Sequence, residues 1–102
     1  MTAFLIVYRE SPVRDAAAME EYGRLSRAQA PEWQAAFNFA PLAVYGAVDA
    51  LEGPTPEGVV ILRFPTMADA RAWYDSPAYQ AALALRLKAA DWRVVLVEGL
   101  DG

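Results

Sequence analysis

The residues best equipped for chemistry are two arginines, a set of aromatic side chains and one glutamate near the carboxyl end. Arg86 falls on an otherwise apolar helical stripe with Tyr79 and Leu83. There its planar fork of donors can bind a carboxylate or an enolate. Equally, its stem can pack while its head reaches water or Glu98. Arg63 interrupts an apolar strand. It can meet a ligand anion if it faces the helices, or a partner's carboxylate if it faces a subunit interface. Tyr22, Trp73, Tyr74 and Tyr79 can line an apolar pocket and offer phenol hydroxyls, or simply fill the core. Trp33 and Phe37 are placed to close a pocket mouth. A tyrosine can give up a proton as an acid, but with a pKa near 10 it needs a cationic neighbour to act as a base at neutral pH. Glu98 is a candidate base with no second carboxylate at a telling distance. Arg86, Tyr79 and Glu98 are therefore the catalytic candidates, and Tyr22, Trp33, Arg63, Trp73 and Tyr74 the candidate ligand contacts. Asp75 and Ser76 adjoin Tyr74, but a turn and a helix cap explain them.

Composition narrows the chemistry further. The 102 residues contain no histidine and no cysteine, so the commonest zinc ligands, the usual haem ligand, thiolate nucleophiles and disulfides are all missing. No Asp-x-Asp cluster suggests a carboxylate metal site. Neither a metal nor a cofactor is expected. The net charge is −4, with eight scattered arginines and one lysine, which disfavours nucleic acid, whose binding depends on neutralising phosphates. No apolar run reaches the roughly 18 residues of a membrane span, and the amino terminus lacks a basic region followed by an apolar one. The expectation is a single cytoplasmic domain over 1–102, with no membrane partner. No phosphate loop, nucleophile elbow or paired-carboxylate motif is present.

The elements that must hold these residues follow from apolar spacing. Residues 3–9 form a first strand, with Phe4, Ile6 and Tyr8 on one face and Leu5 and Val7 on the other. Ser11-Pro12 predicts a helix start, continuing to about Gln29 and ended by Ala30-Pro31. A short helix is predicted over 31–39, then a second strand over 42–48 and an irregular connection over 50–58. Val59 to Phe64 is the third strand. Thr66 and Asp69 resemble a capping box for a helix to about Tyr74. Ser76-Pro77 then starts another helix, a strand runs from Arg93 to Glu98, and 100–102 is a tail.

This order, strand-helix-strand-strand-helix pair-strand, gives an α+β fold of the ferredoxin-like βαββαβ type. Its sheet is antiparallel, and its second helical region is split at Ser76-Pro77. A sheet with helices on one side should show polar residues on the other. Strands one, three and four are apolar on both faces, and 56% of the residues are hydrophobic against about 45–50% in a typical domain. A second copy of the chain, packed through the sheet face, is the simplest cover.

Several segments then resemble a known family. The Ala-Leu-Glu-Gly turn at 50–53, Val-Val-Ile-Leu-Arg-Phe-Pro at 59–65, the Ala-Arg-Ala-Trp-Tyr-Asp-Ser-Pro-Ala-Tyr-Gln segment at 70–80, Leu85-Arg86 and the closing Val-Val-Leu-Val-Glu-Gly are similar to the domain of unknown function family 1330. That family lies within the dimeric α/β-barrel superfamily. The resemblance spans nearly the whole chain and implies a homodimeric α/β barrel with a cavity between sheet and helices in each subunit. The chain departs from the family at Arg63, where an acidic residue is common, at 38–46, where the glycine-rich second-strand region is instead Asn-Phe-Ala-Pro-Leu-Ala-Val-Tyr-Gly, and at 89–92. Superfamily relatives include cofactor-free oxygenases, isomerases, cyclases and haem proteins, and the missing histidine disfavours the last. The expected function is therefore binding of a small apolar or aromatic molecule with an anionic or enolisable group. Catalysis would be cofactor-independent isomerisation, cyclisation or oxygenation; the alternative is a non-catalytic metabolite-binding or interaction dimer.

Overall fold

The first strand, β1 (Ala3–Arg9), lies inside the sheet, hydrogen-bonded on both edges. A computed structural model describes residues 1–100. In it β1 is followed by α1 (Ala16–Phe37), β2 (Ala40–Val44), β3 (Gly58–Phe64), α2 (Met67–Asp75), α3 (Pro77–Ala89) and β4 (Trp92–Glu98). The strand order is β2-β3-β1-β4 and every pairing is antiparallel. This is the expected ferredoxin-like βαββαβ arrangement, with the second helical region split in two. Of the tail expected over 100–102, only Leu100 falls within the described residues.

Alternation along the central strand decides which side chains reach the site. Ala3, Leu5 and Val7 are buried and join the core with Leu62 and Phe64 of β3 and with Trp33, Trp73, Tyr79 and Leu83 of the helices. Phe4, Ile6 and Tyr8 point the opposite way, aligned with Arg63, Ile61 and Val59 of β3 and with Val97, Val95 and Arg93 of β4. Among the described residues no helix lies over that second face. Val95 and Val97 are exposed.

The first helix differs from its prediction at both ends. It starts at Ala16, capped by Asp15, whose carboxylate accepts the Ala18 N–H at 3.0 Å. Ser11 is not the cap, because its hydroxyl accepts the Asp91 N–H at 2.9 Å and donates to the Pro12 carbonyl. The backbone beside it is tied to the α3–β4 junction: Glu10 N–H donates to Asp91 O and Arg14 N–H to Ala89 O, both at 2.8 Å. Nor does α1 stop before Pro31, which lies inside it. A proline there forfeits one helical hydrogen bond, which tertiary packing can offset. Trp33, two residues on and buried, packs its ring edge-on to Trp73 and Phe39. The helix ends with Asn38 in the left-handed region, its N–H bonded to Gln34 O.

The remaining boundaries are mostly those the capping residues announce. Thr66 caps α2, accepting from Asp69 N–H, while the short Asp69 carboxylate takes the Thr66 hydroxyl proton at 3.0 Å. Ser76 caps α3, accepting from Tyr79 N–H and donating to Trp73 O at 2.7 Å, with Pro77 next. The second strand is shorter and earlier than expected: its pairing with β3 slips between Pro41 and Ala43, and Tyr45 follows with φ of 54°. Among the described residues no helix is long and apolar enough to cross a membrane.

Candidate functional site

A cavity of about 360 Å³ opens between the helix-facing side of the sheet and helices α1 and α3. Its floor is Val7, Val60 and Leu62, and one wall is α1 from Met19 to Trp33. The opposite wall carries Trp73, Tyr79 and Arg86, while Pro41, Val44 and Tyr45 form the β2 side. The lining includes two arginines, Arg27 and Arg86, and no carboxylate.

Arg86 is the central polar group. It sits in the last turn of α3, where a cation suits the helix dipole, yet it is 2% exposed. Its Nε and Nη1 are buried without a hydrogen-bond acceptor among the described residues. The guanidinium lies 5.0 Å from the Trp92 ring, and the Trp92 indole N–H donates to the Arg86 carbonyl at 2.8 Å. A ring contact of this kind is worth about 0.5–2 kcal/mol. A buried charge without a counter-ion loses several kcal/mol of hydration. The ring therefore offsets only part of the loss, and the geometry suits an anion.

Two phenols share the cavity with it. Tyr22 from α1 and Tyr79 from α3 bring their hydroxyls to 3.0 Å, with the rings edge to face. Ser76 fixes the start of the helix that carries Tyr79, and the Trp73 ring lies 4.0 Å from the Tyr79 ring. Burial pushes the Tyr22 phenol well above its ordinary value, and the neighbouring Tyr79 hydroxyl adds to the shift; Arg86 pulls weakly the other way. Tyr22 therefore keeps its proton at neutral pH and can offer it in a hydrogen bond. One hydroxyl of the pair donates to the other, which leaves one hydrogen free for a ligand. The Ser26 hydroxyl and the Trp73 indole N–H are also buried without partners among the described residues, and both residues line the cavity.

Tyr45 completes the β2 side. Its backbone is left-handed, its N–H donates to Val59 O at 2.9 Å, and its ring lies against Gly58. A Cβ on Gly58 would stand 2.7 Å from the Tyr45 ring. Burial raises the Tyr45 phenol pKa, while Arg9 and Arg86 pull it down.

Of the eight residues singled out in the sequence, Tyr22, Trp33, Trp73, Tyr79 and Arg86 line this one cavity. The other three lie elsewhere. Tyr74 lines a smaller cleft of about 200 Å³ beside Leu5, Arg71 and Leu96 and touches Tyr79 only ring to ring, at 5.6 Å. Arg63 is exposed and aligned with Phe4, which places it on the face away from the helices. Glu98 is exposed at the end of β4, outside the cavity lining. Phe37, expected near the pocket mouth, is not among the lining residues. The sequence reading missed Tyr45, Ser26 and Arg27. For Ser26 the available signal is its place four residues after Tyr22, one helical turn along the same face. Among the described residues no three carboxylates gather as a metal site would need.

The fold and cavity together define a ferredoxin-like α+β protein with a ligand-sized space under its helices. The chain belongs to the family described as a domain of unknown function (DUF1330), whose model matches residues 2–100. No curated protein matches it. Among solved structures it is similar to RPA0582 of Rhodopseudomonas palustris, a protein of unknown function, with TM-score 0.71, 19% identity and coverage of 99% of this chain and 84% of that one. A dimeric ferredoxin-like protein of unknown function from Jannaschia sp. CCS1 matches with TM-score 0.68 and 19% identity over 97% of this chain and all of that one. A candidate antibiotic biosynthesis monooxygenase from Nitrosomonas europaea matches with TM-score 0.59 and 16% identity over 97% and 90% of the two chains. At such identities the likeness is one of fold.

Proposed function

We propose that this chain binds, in the cavity beneath α1 and α3, a small and largely apolar or aromatic molecule bearing a carboxylate or enolate oxygen. The observation that carries this reading is Arg86, 2% exposed, with Nε and Nη1 unpartnered among the described residues in a lining free of carboxylates. Arg86 takes the anion, the Tyr22–Tyr79 pair donates a hydrogen bond, and Trp33, Phe39 and Trp73 enclose the apolar body. The lining is all donors and apolar surface, with no group that abstracts a proton at neutral pH. This favours a non-catalytic metabolite-binding role. Cofactor-independent isomerisation, cyclisation or oxygenation would use the same donors to hold a developing oxyanion, with Arg86 and Tyr79 as its contacts. The proton would then have to leave to solvent or to another part of the substrate.

The uncovered sheet face supports a homodimer. Phe4, Ile6, Val59, Ile61, Val95 and Val97 make that face largely apolar, and the Jannaschia protein of the same fold is described as dimeric. Sedimentation at micromolar concentration checks this, and a monomer contradicts it.

Titration with cinnamate, an apolar ring carrying one carboxylate, tests the cavity. Cinnamate should bind the wild type, and Arg86→Gln should weaken binding by about tenfold or more, since a hydrogen bond to a charged group is worth about 1.5–3 kcal/mol. Equal binding by a folded Arg86→Gln protein sinks the reading.

A further inference from the structure

We propose that Tyr45 selects among ligands at the cavity mouth, its phenol meeting a polar group of the ligand other than the anion held by Arg86. This rests on the anion-binding reading of the cavity. It goes beyond that reading by giving the ligand a second polar group and a residue that recognises it.

Three structural costs converge on this one side chain. A non-glycine residue in the left-handed region loses about 1–2 kcal/mol, and Tyr45 sits there with φ of 54°. Next, β3 opens with Gly58, a poor strand residue. Its φ is not positive, so its value lies in the space it leaves: a Cβ there would meet Tyr45 Cδ1 at 2.7 Å and Cε1 at 2.9 Å. Finally, Arg9 lies just behind, its Nε 3.7 Å from the same Cβ position and buried without an acceptor among the described residues. Arg9 is itself held by its hydrogen bonds to the carbonyls of Ser11 and Glu57. Strand pairing requires none of these arrangements, and local strain tends to collect where a side chain must be aimed.

The placement fits recognition better than packing. Tyr45 as a whole is 42% exposed, against 2% for Tyr79, so it contributes little to the core. It nevertheless lines the cavity, and its phenol lies within electrostatic reach of both Arg9 and Arg86. A ligand whose anion meets Arg86 thus presents its remaining length to the Tyr45 hydroxyl. The ligand class is an aromatic or apolar monocarboxylate carrying a second hydroxyl or carbonyl oxygen.

Calorimetry with cinnamate and para-hydroxycinnamate, which differ by one hydroxyl, tests the assignment. The wild type should prefer the hydroxylated probe by about threefold to tenfold, the worth of one hydrogen bond. Tyr45→Phe should erase the preference, bringing the two probes to equal affinity. Gly58→Ala keeps every hydroxyl but displaces the Tyr45 ring, and should erase it as well. Should Gly58→Ala fail to fold, Tyr45→Phe decides alone. A preference that survives in Tyr45→Phe, or that is absent in the wild type, overturns the role of Tyr45 even if both probes need Arg86. Binding of neither probe to the wild type, or binding indifferent to Arg86→Gln, overturns the anion site and the mouth assignment with it.

Discussion

The hydroxyls of Tyr22 and Tyr79 meet at 3.0 Å, joining α1 to α3 across 57 positions of sequence. The Tyr79 ring also lies tilted against Trp73 and meets the edges of Tyr22 and Trp33, so one phenol ring is shared by all three helices. Removing either hydroxyl leaves the other buried with no protein partner, which costs about 1–3 kcal/mol. Tyr22→Phe and Tyr79→Phe should each destabilise the protein by that amount, and the double variant by clearly less than the sum. Urea unfolding of the four proteins measures the coupling, and strict additivity would contradict it.

Arg86 should behave unlike most core residues. Replacing an uncompensated buried cation with an apolar side chain of similar length removes a desolvation penalty. The change also forfeits the contact with Trp92, worth about 0.5–2 kcal/mol. Without ligand, Arg86→Met should therefore unfold at the same urea concentration as the wild type or a higher one. A loss above about 3 kcal/mol would instead reveal a carboxylate paired with Arg86 in solution.

Alkaline pH should loosen the fold through Tyr22. Its phenol is raised well above the ordinary value in the folded protein, chiefly by burial. The folded state thus holds its proton where the unfolded state releases it, at about pH 10. The contribution is fully present below that pH and is lost as pH climbs from there through the folded pKa. The slope of stability against pH above about 10 should be steeper in the wild type than in Tyr22→Phe. In an absorbance titration Tyr22 should ionise well above the usual phenol value of about 10, and Tyr45 should also be late.

The outer sheet face yields a separate test. Val97 is exposed and aligned with Phe4, on the side away from the cavity. Val97→Glu should convert a dimer to a monomer in sedimentation while the isolated subunit keeps its helical signal. An intact dimer would place the interface elsewhere.

Much of the architecture could be read locally, and the misreadings have tertiary causes. Ser76-Pro77 was legible because its cap is made with residues three positions away. The same pair at Ser11-Pro12 misled, since the Ser11 hydroxyl is engaged 80 positions along the chain by the Asp91 N–H. Pro31 looked like a helix end because nothing local signals that Trp33 anchors the turns beyond it. Within the site, the helical stripe of Tyr79 and Arg86 was visible as spacing, and strand alternation set Phe4 opposite Leu5. Arg63 stayed open until the pairing register placed it beside Phe4. Tyr45 was hidden for a different reason: a bulge shifts the register of β2 just before it, and a left-handed tyrosine has no sequence signature.

The cavity also fixes a moment in the life of the chain. Tyr22 emerges from the ribosome early, Arg86 late, and the Trp92 that steadies Arg86 later still. The strands beneath the cavity, β1, β2 and β3, precede α3 in the chain, so the wall that carries Arg86 is made after the floor. A chain not yet made through α3 thus lacks the wall that carries Tyr79 and Arg86.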